Sequence, residues 1–192
     1  MRRMRTKLEP MRRHALQRVR GQVNVDRLVA EGLELGKGAF IGQGVYIDAG
    51  NPWLISIGDD AMITAGAVVL AHDASGKRQT GLTRIARVRI GKRVFVGAGA
   101  VILPGADIGD DSIVGALAVV RGAVPAGSVV AGNPAQIVSD VHSFTERHLA
   151  AAASGPIWPH TGWVSGAGIT EANKRVQREA LAGGISGYLR SG

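Results

Sequence analysis

The chain of 192 residues contains no cysteine, few aromatic residues (4%) and no apolar run long enough to span a membrane. The missing cysteine excludes disulfides, thiolate metal sites and a cysteine nucleophile, and it is typical of a reducing compartment. The N-terminal arginines are not followed by an apolar stretch, so the pattern is not that of a secretory signal. We therefore expect a cytoplasmic protein, whose 28 glycines indicate a turn-rich folded body.

Acidic residues are scarce at the N-terminus, where the positive charge is concentrated. The net charge is +8, and residues 1–20 hold eight basic residues against one acid, Glu9. The basic residues are Arg2, Arg3, Arg5, Lys7, Arg12, Arg13, Arg18 and Arg20. Such an arm is either solvated or a candidate for peripheral contact with an anionic membrane. Because aromatic residues and a nucleic-acid-reading module are missing, nucleic-acid binding is not predicted.

The central part of the chain has a six-residue period. An aliphatic residue recurs in three blocks: Leu35, Ile41, Ile47; Ile57, Ile63, Val69; and Ile90, Val96, Ile102, Ile108, Val114, Val120. A period of six fits neither a helix nor a plain strand, but it fits a short strand followed by a tight corner. Three such sides close one triangular coil of about 18 residues, and stacked coils share a continuous core.

The predicted fold is therefore an all-β solenoid, a parallel β-helix of roughly five coils. We expect a basic arm over residues 1–28, the β-helix over residues 29–138 with a loop at residues 73–87, and a helical extension over residues 139–192. One extension helix is predicted from a Ser143–Glu146 capping box to Gly155, and a second from Thr170 to Leu181. An ordinary parallel sheet is disfavoured because the blocks leave no room for crossover helices.

Three segments resemble the hexapeptide-repeat acyltransferases. They are IGKRVFVGAGAVILPGADIGDDSIVGALAVV, VPAGSVVAGNPAQIV and HDASGKRQTGLTRIARVRIG. The last is similar to the maltose and galactoside O-acetyltransferase branch, and in particular to sugar O-acetyltransferases of polysaccharide synthesis. The resemblance implies left-handed winding, a homotrimer and acetyl-CoA as acyl donor, with no metal.

His72 is the candidate catalytic residue. Of the five histidines it is the one within the coils, and it lies where the chain leaves the repeat for a loop of about fifteen residues. Functional residues concentrate on long loops of rigid scaffolds, and a neutral imidazole can take the proton of an acceptor hydroxyl. The resemblance matches His72 to the histidine of the family's active site. Asp48 and Asn51, in the polar break of the preceding coil, are the candidates for orienting the imidazole.

The resemblance also suggests residues for the donor. It places the pantetheine arm along Gly97, Ala98, Gly115 and Ala116, and it leaves Arg121 to hold the nucleotide phosphates. Two positions depart from the family pattern, which often has Lys where this chain has Gly122 and a basic residue where it has Gln136. These departures predict altered or weaker CoA binding.

The acceptor site is the least determined part of the sequence. Asp73, Lys77 and Arg78 in the loop are candidates for contacts with the acceptor. Trp158 either stacks on a sugar or packs the C-terminal segment.

The alternatives to sugar O-acetylation are of different kinds. They are N-acetylation of an amino sugar, O-acetylation of serine, a non-catalytic β-helix scaffold, and a zinc lyase of the γ-carbonic anhydrase type. The last requires three histidine ligands, and one coil histidine does not supply them.

Overall fold

The six-residue period folds into short parallel strands, each of which ends near one of the repeated aliphatic residues. A computed structural model describes residues 24–190, and the basic residues at positions 1–20 lie outside that range. The first helix is α1 (Val25–Ala30), in which the Asn24 side chain accepts a hydrogen bond from the Arg27 backbone N–H. The chain divides into two units after Val141.

The described part of the first unit, residues 24–141, contains seventeen short strands, and the helix α2 (Lys77–Thr80) lies between the seventh and the eighth. In chain order they are β1 (Glu34–Leu35), β2 (Phe40–Ile41), β3 (Tyr46–Ile47), β4 (Ile55–Ile57), β5 (Met62–Ile63), β6 (Val68–Val69), β7 (His72–Asp73), β8 (Arg84–Ile85), β9 (Val88–Ile90), β10 (Phe95–Val96), β11 (Val101–Ile102), β12 (Asp107–Ile108), β13 (Ile113–Val114), β14 (Val119–Val120), β15 (Ala123–Val124), β16 (Ser128–Ala131) and β17 (Gln136–Asp140).

Three sheets form the sides of the solenoid. Sheet A has the order β1-β4-β9-β12-β15, sheet B the order β17-β16-β13-β10-β5-β2, and sheet C the order β14-β11-β6-β3. Successive coils pair in parallel, and β17 closes sheet B by antiparallel pairing with β16. The chain thus visits the three sheets in turn, as a parallel β-helix does.

The register shows where the repeat is interrupted. In the later coils Ile102 pairs with Val120, 18 residues further on. Ile47 pairs with Val69 across 22 residues, and Val69 pairs with Ile102 across 33. The first coil pair therefore contains an insertion of four residues and the second an insertion of fifteen. Both insertions lie between sheet C and sheet A, so they emerge on one edge of the solenoid.

The repeated aliphatic side chains fill the interior. Ile47, Ile63, Val96, Ile102 and Ile108 have no exposed surface. Burying one such side chain contributes about 1.5–3 kcal/mol, so the stacked columns are the main source of stability. The burial of these residues confirms the prediction that the repeated aliphatic side chains point into the solenoid.

The outer faces of the sheets differ in polarity. Sheet A presents Glu34, Ser56, Arg89, Asp107 and Ala123 in register. Sheet B instead presents Phe40, Met62, Phe95, Ile113 and Val129. The first three of these side chains are 40% to 52% exposed. An apolar column of this kind on a sheet face is typical of an interaction surface.

The second unit is small and mixed. It contains α3 (Val141–Ser154, which begins at the unit boundary), β18 (Ile157–Pro159), α4 (Glu171–Ala180) and β19 (Tyr188–Arg190), and β18 pairs in parallel with β19. Thr170 caps α4 as the sequence predicts. The prediction for α3 is wrong at its start, because the helix begins at Val141 and Ser143 lies in its first turn. No helix of the described residues has the length and hydropathy to cross a membrane.

Candidate active site at the edge between sheets C and A

The two insertions bring a histidine and a carboxylate together. The short insertion, residues 48–54, connects β3 to β4, and the long one begins after β6 and returns at β9. Asp48 directly follows β3, and its backbone N–H donates to the Val69 carbonyl of the next coil. His72 lies three residues beyond Val69, so the two side chains meet across one coil spacing.

Asp48 holds the imidazole of His72 through a short hydrogen bond. The distance from His72 Nδ1 to Asp48 Oδ2 is 2.5 Å. Asp48 is fully buried, whereas the side chain of His72 is 37% exposed. Because an ionised carboxylate only accepts hydrogen bonds, Nδ1 carries the hydrogen and Nε2 keeps its lone pair. The pair thus presents a proton acceptor on a fixed ring.

Two backbone groups keep the Asp48 carboxylate in place. Oδ1 accepts a hydrogen bond from the Gly50 N–H at 2.9 Å, and Oδ2 accepts one from the Ala71 N–H at 3.0 Å. Burial alone would raise the pKa of Asp48, but the hydrogen bonds from His72, Gly50 and Ala71 outweigh it and hold the pKa below its usual value. Asp48 is therefore ionised at neutral pH.

Of the two orienting candidates, the structure brings Asp48 and not Asn51 to the imidazole. Asn51 precedes the 3₁₀ helix Pro52–Leu54, and its backbone carbonyl accepts a hydrogen bond from Leu54. Among the described residues, the hydrogen bond to the His72 ring comes from Asp48, in the first position of the insertion.

The long insertion folds over its own strand pair. β7 and β8 pair in antiparallel fashion, which sets His72 opposite Ile85. Between them lies α2 (Lys77–Thr80), which Gly81 ends with a φ of 73°. Lys77 and Arg78 are exposed on this helix.

A cavity of about 590 Å³ adjoins the site. Asp73, Arg84, Pro104 and Arg121 are among its lining residues, and neither Lys77 nor Arg78 is. The Arg84 guanidinium donates to the Pro104 carbonyl at 2.9 Å, which fixes it at the cavity wall. Arg84 was not among the residues predicted from the sequence; the antiparallel pairing of β7 with β8 places it opposite Asp73.

Asp73 is ionised at the mouth of this cavity. Its Oδ1 accepts a hydrogen bond from the Ser75 N–H at 2.8 Å. Hydrogen bonds from Ser75, with the charges of Arg84 and Arg121 at longer range, lower the pKa of Asp73. The cavity therefore carries two positive charges and one negative charge.

Four of the five predicted donor residues lie at another edge of the solenoid, whereas Arg121 lies on the same edge as His72. Gly97, Ala98, Gly115 and Ala116 form the corner between sheets B and C, whereas His72 lies between sheets C and A. A Cβ on Gly97 would lie 2.5 Å from the Ala116 backbone nitrogen. This glycine is thus required for the stacking of coils, whatever its part in donor binding.

The two departures from the family pattern have different settings. Gly122 has a φ of 72°, a conformation that a side chain would strain, and it lines the same cavity as Arg121. Gln136 is the exposed first residue of β17 and pairs with Ala131.

Trp158 is not open to a ligand. It is 9% exposed and its ring stacks on Trp163 with a centroid distance of 5.6 Å. A Cβ on Gly187 would meet the other end of the indole. The structure therefore favours the packing role for Trp158, within the second unit. The exposed tryptophan is Trp53, at 59%, which the sequence analysis did not single out.

Comparison with known proteins decides the family. The model of the bacterial transferase hexapeptide (six repeats) matches residues 87–122. The serine acetyltransferase of Mycobacterium tuberculosis is 33% identical over 170 residues, which cover 84% of this chain and 67% of that protein. The chain belongs to the hexapeptide-repeat transferases. This confirms the predicted family, and membership implies that the coils wind left-handed.

Other hexapeptide-repeat transferases agree with this assignment. WbbJ of Escherichia coli, named as a candidate lipopolysaccharide biosynthesis O-acetyltransferase, is 29% identical over 149 residues, covering 66% of this chain and 76% of that protein. The crystal structure of a maltose O-acetyltransferase from Clostridium difficile aligns with a TM-score of 0.51 at 22% identity, covering 67% of this chain and 83% of that one, which supports the fold. The chain spans roughly three fifths to two thirds of the length of the first curated relatives.

No metal-binding cluster occurs in this hexapeptide-repeat chain as far as it is described. Among residues 24–190 no three His, Asp or Glu side chains are grouped to hold an ion.

Proposed function

We propose that this protein is an acetyl-CoA-dependent O-acetyltransferase that transfers an acetyl group to a hydroxyl of a sugar or glycan. The observation that carries the proposal is the hydrogen bond between His72 Nδ1 and the buried Asp48 carboxylate. It leaves Nε2 as a free base on a ring whose orientation is fixed. A non-catalytic scaffold has no need for a buried carboxylate beneath a partly exposed imidazole.

His72 acts as general base in this proposal. Nε2 takes the proton of the acceptor hydroxyl while that oxygen attacks the thioester carbonyl carbon. The tetrahedral intermediate then collapses, the carbon–sulfur bond breaks, and the imidazolium returns the proton to the leaving thiolate. The Asp48 carboxylate stabilises the imidazolium in between. No covalent bond to the enzyme forms, which is consistent with a chain without cysteine.

The positions of the donor candidates support a homotrimer. Ala98 and Ala116 are exposed at the corner between sheets B and C, whereas His72 lies at the next corner of the triangle. In the proposed trimer this corner of one copy meets the His72 edge of the next, so that a donor bound between them touches both sets. The apolar column on sheet B, which includes Phe40, Met62 and Phe95, offers a surface that association would cover.

The cavity supports the role of Arg121 in donor binding. Arg121 and Arg84 give it an excess of positive charge, and no ion pair among residues 24–190 engages Arg121. A guanidinium in this setting is suited to phosphate oxygens of the donor. Because Gly122 provides no charge of its own, Arg121 would carry this interaction with help from Arg84.

O-acetylation of serine is the second candidate function. The similarity to the serine acetyltransferase of Mycobacterium tuberculosis extends over 84% of this chain, which is more than for the lipopolysaccharide relative. The same base would serve either hydroxyl, so the dyad alone does not decide between them.

The first test measures thiol release from acetyl-CoA. Wild type and His72→Ala are compared with a panel of mono- and disaccharides, amino sugars and L-serine as acceptors. We expect acceptor-dependent release that falls at least about a hundredfold in the variant, the usual range for loss of a general base. Because His72 is partly exposed, the unfolding temperature should change little.

Three outcomes would contradict parts of the proposal. Release that the variant does not diminish would show that His72 is not the base. Release with L-serine alone would support the second candidate. A protein that releases no thiol with any acceptor, and that CoA does not stabilise against heat, would be a scaffold rather than an enzyme.

A further inference from the structure

Trp53 lies on the same short segment that supplies the Asp48 carboxylate. Pro52 is buried and begins the 3₁₀ helix, whereas the next residue, Trp53, is 59% exposed. Asp48 is fixed to His72 by its hydrogen bond. Even an extended chain of five residues spans at most about 17 Å, and this segment turns as it returns to sheet A. Trp53 therefore belongs to the same edge of the solenoid as the pair of Asp48 and His72.

The register brings Trp53 closer still. Ile55 pairs with Val88 between neighbouring coils, so two residues earlier Trp53 and Ala86 stand at the same edge. The Ala86 N–H donates to the carbonyl of Ala71, the residue before His72, at 2.9 Å. Adjacent strands are about 4.8 Å apart, so the strand that follows Trp53 is one coil spacing from the strand that follows the β7–β8 insertion.

The base of the Trp53 side chain is held while its indole is left open. A Cβ on Gly32 would lie 2.9 Å from the Trp53 Cβ, so the preceding coil packs directly against this residue. Ile85, opposite His72, is 58% exposed. An exposed indole and an exposed isoleucine thus lie on the edge of the solenoid where both insertions emerge.

Such a surface discriminates between the candidate acceptors. A pyranose ring has a face of C–H groups that packs on an aromatic ring, and its hydroxyls remain free at the rim. Serine has no apolar face of that size. We propose that Trp53 is the acceptor platform, on which a pyranose ring stacks so that one of its hydroxyls reaches Nε2 of His72. This inference rests on the proposed acetyl transfer and selects a sugar over serine.

The experiment replaces Trp53 by Ala, Leu and Tyr and measures thiol release with the best pyranoside of the acceptor panel. Trp53→Ala keeps the Cβ that packs on Gly32, so the fold should be retained, as the unfolding temperature would show. We expect the KM for the pyranoside to rise about tenfold, with little change in kcat or in the KM for acetyl-CoA. Leu149→Ala is the control, because it also removes an exposed apolar side chain but lies on α3, outside the proposed acceptor site.

The other variants separate stacking from a structural role. Trp53→Tyr should restore most of the affinity, because it keeps a ring face, whereas Trp53→Leu should behave like the alanine variant. An unchanged KM in Trp53→Ala, or a changed sedimentation coefficient that assigns Trp53 to a subunit interface, would overturn the inference while the acetyltransferase stands. A wild type that acetylates L-serine and no pyranoside would overturn it as well. Absence of any acceptor-dependent release would instead refute the proposed function, and this inference with it.

Discussion

The regular coils after Val88 and the interrupted coils before it follow the same repeat but carry different roles. In the regular coils the paired residues are 18 apart up to Val120 and 16 apart in the last coil, and glycines such as Gly97 serve the stacking of coils. In the interrupted coils, insertions of four and fifteen residues emerge on one edge and supply Asp48, Trp53 and His72. The repeat thus provides a rigid frame, and the candidate chemistry is located where the repeat is broken.

Asp48→Asn tests the interrupted region most severely. The amide would donate to Nδ1 of His72, so the proton would move to Nε2 and the base would lose its lone pair. We expect kcat/KM to fall by at least about a hundredfold, as for the equivalent change in a serine protease triad. The unfolding free energy should also fall by about 1–3 kcal/mol, because one buried backbone N–H loses its charged acceptor.

Asp107→Asn is the matched control in the regular coils. Asp107 is exposed on sheet A and pairs with Arg89 there. Removing an exposed ion pair of this kind costs at most about 1 kcal/mol. We expect Asp107→Asn to keep wild-type activity. If Asp48→Asn keeps it as well, Asp48 has only a structural role in the corner.

Two glycine substitutions compare the frame with the loop. Gly97→Ala should destabilise the protein by about 1–3 kcal/mol or more, because the new methyl group meets the backbone of the next coil. Gly76→Ala, in the long insertion, should leave stability unchanged or raise it by up to about 1 kcal/mol, since its φ of −84° suits alanine and its surroundings are open.

Urea unfolding of both glycine variants provides the measurement. An equal loss of unfolding free energy in the two variants would mean that the insertion is packed as tightly as the coils, and the distinction between frame and loop would be lost. A Gly97→Ala protein of normal stability but weak CoA binding would support the role in donor binding that the family resemblance implies for this residue.

The sequence predicts the frame well because every coil needs buried aliphatic residues at the same positions, which produces a visible six-residue period. Ile47, Ile63 and Ile102 are buried where the period places them. The break at His72 was also visible, since the period fails there. What one sequence does not contain is the contact between coils, so Asp48 and Asn51 stood as equal candidates until the register separated them.

The tryptophans show what residue type alone leaves open. Both an acceptor role and a packing role were candidates for Trp158, because residue type does not reveal burial, and the stacking of Trp163 on its ring favours packing. Trp53 was overlooked although its segment interrupts the repeat. Counting residues between aligned positions would have shown that its insertion and that of His72 lie on the same edge.

The acid dependence of stability is the smallest effect that we expect at this edge. The pKa of Asp48 is lowered because the hydrogen bonds from His72, Gly50 and Ala71 outweigh the opposing effect of burial. A carboxyl whose folded pKa lies below its unfolded value of about 3.9 stabilises the fold above that pH, and the contribution is lost as pH falls through the folded pKa. The difference in unfolding free energy between wild type and Asp48→Asn should therefore be larger at pH 5 than at pH 3. An equal difference at both pH values in urea unfolding would mean that the carboxylate is not stabilised in its ionised form, and the proton acceptor on His72 would lose its electrostatic support.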